Sequence, residues 1–226
     1  MAMKSDVFPI ALPGGSVSAL LDAPAAARCC HVFAHGAGAG MNHAFMAAIA
    51  GGLADRGIAT LRYQFPFMEQ GSRRPDPPAA AHAAVRAAVT EAALRLPGLP
   101  LFAGGKSFGG RMTSQAQAAA RLEGVLGLVF AGFPLHPAGK PSVERARHLL
   151  EVEVPMLFLQ GTRDALAELD LVREATAGLS GRATLHIVEG ADHGFEVLVR
   201  SGRTNEQVRQ ELLDAMTGWM RALLPP

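Results

Sequence analysis

Short apolar runs recur along the chain, separated by stretches whose hydrophobic positions repeat with helical spacing. The first two runs, Val7 to Leu12 and Ser16 to Leu21, flank Pro13-Gly14-Gly15. A turn of that composition, with glycine free to take positive φ, predicts a hairpin of antiparallel strands. Further β-rich runs follow at Cys29–Ala34, Ile58–Tyr63, Pro100–Ala103, Val125–Ala131, Pro155–Gln160 and Thr184–Val188. Their alternation with helical patterns predicts an α/β fold, a mostly parallel, doubly wound sheet with helices on both faces.

The helices are legible from their stripes. Phe45, Ile49 and Leu53 share one face, as do Val208, Leu212, Ala215 and Trp219 near the end, and each stripe is expected to pack on the sheet. The alanine-rich segment Pro78 to Leu96 has high helix propensity and stops at Pro97-Gly98, where a helix does not readily continue. The loops richest in Pro, Gly and charge, Glu69–Pro78 and Pro134–Pro141, are expected to rim a site. No repeat of solenoid or propeller length is present. A chain of 226 residues supports one large core, so residues 1–226 are read as a single domain.

Composition narrows the function classes. With 49% hydrophobic and 18% charged residues the chain is of globular, not disordered, type. Lys+Arg at 21 nearly balance Asp+Glu at 20, leaving no overall field to draw the protein to nucleic acid or an anionic membrane. The two cysteines, Cys29 and Cys30, are neighbours in an apolar run and are expected as buried thiols rather than as a crosslink. Neither a signal-peptide h-region nor a membrane-spanning run is found, so a cytoplasmic location is expected.

The chemistry concentrates at Gly105-Lys106-Ser107-Phe108-Gly109, which follows the run Leu101 to Ala103 and precedes the helical stretch Arg111 to Leu122. This is the strand, turn and helix setting of a G-x-S-x-G elbow. A serine hydroxyl is a poor nucleophile near neutral pH and needs a base in contact and a third group to orient that base. His193, in Gly190-Ala191-Asp192-His193-Gly194-Phe195, lies just beyond the last predicted strand and is the expected base. Asp164, closing Gln160-Gly161-Thr162-Arg163-Asp164 after another strand, is the expected acid, with Asp192 the competing carboxylate and Asp170 inside a helix. His35-Gly36-Ala37-Gly38-Ala39-Gly40 leads from a strand to a helix and is suited to offer backbone amides to an oxyanion. The amides of Ala37 and Phe108 are assigned, with Gly36 left open as donor or substrate contact. His136 is expected to line the pocket, His35 to bond within its own loop, and Arg62 and Arg111 to form structural ion pairs. Lys106 is left between an electrostatic role and a solvated one. The remaining histidines show no metal-ligand spacing, so neither a metal nor a cofactor is expected.

These segments, together with Arg62-Tyr63-Gln64-Phe65-Pro66-Phe67 and Gly104 to Arg111, carry a resemblance. The chain resembles the α/β-hydrolase superfamily. Within it the chain is similar to the small group that includes dienelactone-hydrolase-like proteins and the testis-expressed and chromatin-complex homologues of animals. The resemblance implies an α/β-hydrolase fold and a triad of Ser107, Asp164 and His193, the order along the chain being that of this superfamily. Dienelactone hydrolases proper use a cysteine nucleophile, whereas position 107 is serine.

The expectation is therefore a serine esterase or thioesterase acting on a small-molecule substrate. A non-catalytic scaffold of the same fold and an acyltransferase using the same triad are the alternatives. The chain has little length beyond such a core, so the lid is expected to be minimal or absent and the pocket open, which suits short-chain or small esters. A homodimer that closes the site is left open.

Overall fold

The computed structural model describes residues 3–225. The strands are β1 (Met3–Leu12), β2 (Gly15–Pro24), β3 (Cys29–Ala34), β4 (Ile58–Tyr63), β5 (Leu101–Lys106), β6 (Val125–Ala131), β7 (Met156–Gly161) and β8 (Ala183–Val188). The helices are α1 (Ala44–Asp55), α2 (Pro66–Glu69), α3 (Pro78–Arg95), α4 (Phe108–Ala119), α5 (Leu169–Ala177) and α6 (Asn205–Ala222). The strands form one sheet in the order β1-β2-β4-β3-β5-β6-β7-β8. β2 runs antiparallel to β1 and to β4, and every later neighbour pair is parallel.

The predicted doubly wound architecture is thus found, and burial explains it. β3, β4 and β7 are buried at every position, as strands covered on both faces must be, and their sequences are correspondingly rich in apolar residues, interrupted only by the buried His31, Thr60, Arg62 and Gln160. One face of the sheet is covered by α3, α4 and α5, with Val85, Met112 and Val172 in its core. The other carries α1 and α6, where Ile49, Leu53, Leu212 and Met216 pack together. α3 approaches closely because its inward positions, Ala81, Ala84, Ala88 and Ala92, are small.

Element boundaries depart from expectation at one informative place. β5 continues through Gly104 and Gly105 to Lys106, and α4 begins at Phe108, three residues earlier than the helical pattern suggested. Glycines at 104, 105, 109 and 110 disfavour both strand and helix locally and so mask a junction that tertiary packing demands. The α6 stripe packs on the sheet as expected, with Ala215 and Trp219 partly buried against the same cluster, and it is wider than expected. Val208, Leu212, Leu213, Met216 and Met220 are buried, and Trp219 lies partly exposed beside Thr184.

The sheet order places the site. From β3 the chain crosses to β4 on one side, and from β5 it crosses to β6 on the other, while β3 and β5 are neighbours. Two connections leaving adjacent strands in opposite directions open a crevice beyond the carboxyl ends. The longest excursion on the far side of it, residues 132–155, carries only a 3-10 helix, Glu144–Glu151. Among the described residues no helix is long and apolar enough to cross a membrane.

Candidate active site

Ser107 stands between β5 and α4 with φ 51° and ψ −116°. A non-glycine residue held there costs about 1–3 kcal/mol and persists only where its surroundings over-determine it. Here the Ser107 amide donates to the Ala131 carbonyl at 3.1 Å, and its carbonyl accepts from Arg111 N at 3.1 Å. The flanking glycines are required by packing. A Cβ on Gly105 would lie 2.4 Å from the Ala34 carbonyl oxygen, and one on Gly109 would lie 2.6 Å from the carbonyl oxygens of both Ala34 and His35.

The loops after β7 and β8 bring Asp164 and His193 to the same point. Ser107 Oγ lies 2.9 Å from His193 Nε2, and His193 Nδ1 lies 2.7 Å from Asp164 Oδ2. A carboxylate only accepts, so Nδ1 carries the proton and Nε2 is free to accept from the serine. Asp164 is buried, and its remaining acceptor capacity is used. Its Oδ2 also accepts from Gln160 Nε2 at 2.6 Å and its Oδ1 from Leu166 N at 2.8 Å. The competing acid, Asp192, is instead occupied within its own turn, accepting from Gly194 N at 2.8 Å and Glu196 N at 3.0 Å. Asp170 lies in the first turn of α5, paired with Arg173.

The segment after β3 lies against the elbow, since a Cβ on Gly36 would come within 3.7 Å of Ser107 Cβ. Neither the Ala37 amide nor the Phe108 amide donates to a protein acceptor among the described residues. For Phe108 this follows from its place in the first turn of a helix, whose amides lack intrahelical partners. The segment is held by the motif at the end of β4. Arg62 Nη1 donates to the Met41 carbonyl at 2.8 Å, and Gln64 Oε1 accepts from Met41 N at 3.0 Å. His35 Nδ1 bonds the Gly36 carbonyl at 2.7 Å and its Nε2 accepts from Phe65 N at 3.0 Å. Arg62 is anchored by a buried pair with Asp22 at 2.7 Å. Sequence reasoning quoted this motif without a role for Gln64, and missed Gln160 beside Asp164.

Lys106 is not the solvated lysine that was one of its two readings. Its ammonium donates to the His193 carbonyl and lies 5.3 Å from the Phe195 ring centroid. Burial pushes its pKa down to about 8, against the opposing pull of Asp164 and Asp192.

Ser107 and His193 open into a cavity of about 600 Å³. Its wall is formed by Gly36 to Ala39, the first turns of α1 and α6, Leu166 and the loop from His193 to Glu196. Two expectations are corrected here. The loops Glu69–Pro78 and Pro134–Pro141 contribute nothing to this wall. His136, expected to line the pocket, is 0% exposed and turned into its own loop, with Nδ1 2.9 Å from the Pro137 carbonyl oxygen. Phe45 packs against the core with Ile49 and Leu53 as expected, and it also lines the cavity and stacks on Phe195, centroids 5.9 Å apart.

No group of three or more His, Cys, Asp or Glu side chains suited to a metal ion occurs among the described residues. Cys29 and Cys30 are buried free thiols, pushed up to about 11 and about 12 chiefly by burial.

Comparison with known proteins agrees with the fold. A family model described as an alpha/beta hydrolase domain matches residues 27–221. Among solved structures, a dienelactone hydrolase from Anabaena variabilis superposes with a TM-score of 0.80 at 20% identity, covering 99% of each chain. An a/b serine hydrolase without a lid from Xanthomonas campestris gives 0.76 at 21% identity, over 100% of this chain and 98% of that one. An alpha-beta serine hydrolase homologue from Coxiella burnetii gives 0.75 at 20% identity, over 94% and 98%.

Proposed function

The chain belongs to the alpha/beta-hydrolase family, and from that premise we propose that it is a serine hydrolase cleaving a small-molecule ester or thioester through an acyl-enzyme. The observation that carries this reading is the hydrogen-bonded series Ser107, His193, Asp164 at a strained turn that opens into a cavity. In the first half-reaction Ser107 Oγ attacks the carbonyl carbon while His193 Nε2 takes its proton. Asp164 holds the imidazole in the tautomer that can accept and stabilises the imidazolium that forms. The carbonyl oxygen, now negative, is received by the amides of Ala37 and Phe108, each of which is worth about 2.7–4 kcal/mol in such a position. His193 then returns its proton to the departing alcohol or thiol. In the second half-reaction His193 deprotonates a water that attacks the acyl-serine, and collapse releases the acid and restores Ser107.

No metal or cofactor enters this scheme. A protein that served only as a scaffold would have no use for a serine held at a costly φ with its hydroxyl proton directed at a histidine. The test is labelling by a fluorophosphonate, which reports an activated serine without a guess at substrate. Peptide mapping should place the label on Ser107 and Ser107→Ala should abolish it. A folded wild-type protein that resists labelling would remove the hydrolase reading.

A further inference from the structure

The cavity beside Ser107, about 600 Å³, is larger than the chemistry at the carbonyl requires. Ser107 and His193 stand in its wall, as do the polar side chains of His43, Lys106, Glu196, Asn205 and Arg209. The remaining side chains of the wall are apolar. Ala44 and Ala48, one turn apart on α1, leave open the space that longer side chains would fill, and the stacked pair Phe45 and Phe195, interplanar angle 12°, adds a flat aromatic surface to a wall that also includes Leu212. The cations that reach this wall are already engaged, Lys106 with the His193 carbonyl and Arg209 with Glu206. An anionic substrate group would therefore have to displace an existing partner, whereas an alkyl group packed on Ala44, Phe45, Ala48, Phe195 and Leu212 needs none.

We propose that this cleft binds a medium-length alkyl chain carried by the ester, and that filling it, more than contact at the carbonyl, sets substrate preference. The inference rests on the hydrolase reading of Ser107 and moves the expected substrate beyond the short-chain esters that an open pocket suggested. A volume of about 600 Å³ lies within the ordinary range of small-molecule sites, and an acetyl group alone would leave most of it to water. The chain belongs either to the acyl part or to the alcohol part of the ester, and the chemistry of the wall is the same for both.

The experiment uses two substrate series with the whole protein. One runs from p-nitrophenyl acetate to the butanoate, hexanoate and octanoate, and the other from ethyl acetate to butyl, hexyl and octyl acetate. One methylene moved from water into an apolar wall is worth about a fourfold rise in kcat/KM, and one series is expected to climb at that rate until the cleft is full. The series that climbs identifies the part of the ester bound. Ala48→Phe is expected to lower the octyl-to-acetyl ratio of that series at least tenfold, and Ala44→Leu offers a smaller plug should the first variant fold poorly. Two flat series in an enzyme that cleaves acetates, or a ratio unmoved by either plug, would overturn the proposal while leaving the hydrolase reading intact. Calorimetry on Ser107→Ala separates the two claims, because 1-octanol should bind and ethanol should not. Octanol binding in a protein that neither labels nor cleaves esters would keep the alkyl cleft and remove the catalysis.

Discussion

Two serine–histidine contacts lie within two turns of each other around α4, and their lengths are nearly equal, 2.9 Å for Ser107 with His193 and 2.8 Å for Ser114 with His148. Everything else about them differs. Ser107 precedes the helix, at positive φ, half-exposed to the cavity, and its hydroxyl has His193 as its hydrogen-bond partner. Ser114 is 0% exposed inside the helix, and its hydroxyl lies 2.9 Å from the Arg111 carbonyl. A hydroxyl has one proton to give. Ser114 gives it to the backbone, so His148 Nε2–H donates to Ser114, the reverse of the polarity at Ser107. His193 is backed by a buried carboxylate, whereas His148 is pushed down to about 4, first by burial and then by Arg111 and His82. A short serine–histidine distance is thus not a nucleophile. The direction of the proton, the acid behind the base and a cavity in front of the serine make the difference.

The largest effect that would test this contrast comes from removing each hydroxyl in turn. Ser107→Ala should lower kcat by about 10⁴-fold or more, as loss of a triad nucleophile does, without lowering the melting temperature. Ser114→Ala should keep ester hydrolysis and fluorophosphonate labelling within about threefold of wild type and cost about 1–3 kcal/mol of stability for the two hydrogen bonds its hydroxyl makes. Paired kinetics and thermal melts check both. If Ser114→Ala silenced labelling while Ser107→Ala did not, the assignment of the site would be reversed.

Next in size is the carboxylate that only one histidine possesses. Asp164→Asn keeps the shape of the side chain, but its amide can present a donor to His193 Nδ1 and favour the wrong tautomer. A fall of about 10⁴-fold in kcat, with KM little changed, is expected from that cause. Steady-state kinetics with p-nitrophenyl esters read it directly. A fall of only a few-fold would show that His193 holds its tautomer without Asp164.

The contrast also marks how far the sequence was legible. The strands were readable because β3, β4 and β7 are buried on both faces and so are predominantly apolar, with only an occasional buried polar residue such as Arg62 or Gln160. Ser107, Asp164 and His193 stood out because each follows a strand at the same sheet edge, in the order Ser, Asp, His, and the fold brings them into one hydrogen-bonded series. The junction of β5 and α4 was misplaced because its glycines, required where Gly105 and Gly109 meet the Ala34 backbone, read locally as breakers. His136 was misassigned, and the place of Phe45 in the cavity wall was missed, for a different reason. Which way a loop histidine or a half-buried aromatic turns depends on partners distant in sequence, such as Phe195 for Phe45. The environment of Lys106 was equally hidden, since it is set by His193 from across the site.

The segment that offers Ala37 sharpens the contrast further, because nothing equivalent faces Ser114. Gln64 accepts from Met41 N and is expected to act as a positioning residue for the oxyanion amide. Gln64→Met removes the acceptor. A misplacement of about 1 Å at a reacting group costs on the order of 10²-fold, and since Met41 lies four residues from Ala37 a smaller loss, about tenfold in kcat with KM nearly constant, is expected. Gln64→Glu keeps an oxygen for Met41 N and should recover most of it. Equal losses in both variants, or a loss confined to KM, would deny Gln64 that role.

The smallest effect concerns His148 alone and appears as a pH dependence of stability. The ordinary pKa of a histidine is 6.5, and in the folded protein that of His148 is lowered to about 4. Between these values the unfolded chain binds a proton at this position and the folded protein does not, so stability rises with pH across the window. The contribution is fully present above pH 6.5 and is lost as the pH falls from there towards about 4. His148→Gln retains an N–H donor for Ser114 but cannot be protonated. Its stability relative to wild type should therefore be constant above pH 6.5 and should improve progressively between that pH and about 4. Urea unfolding at a series of pH values checks this, with the difference between the two proteins cancelling the titration of His31, which burial pushes to about 3. A difference that stays flat across the window would mean that His148 titrates near its ordinary value. In that case the Ser114 pair would be less shielded than the one at the site.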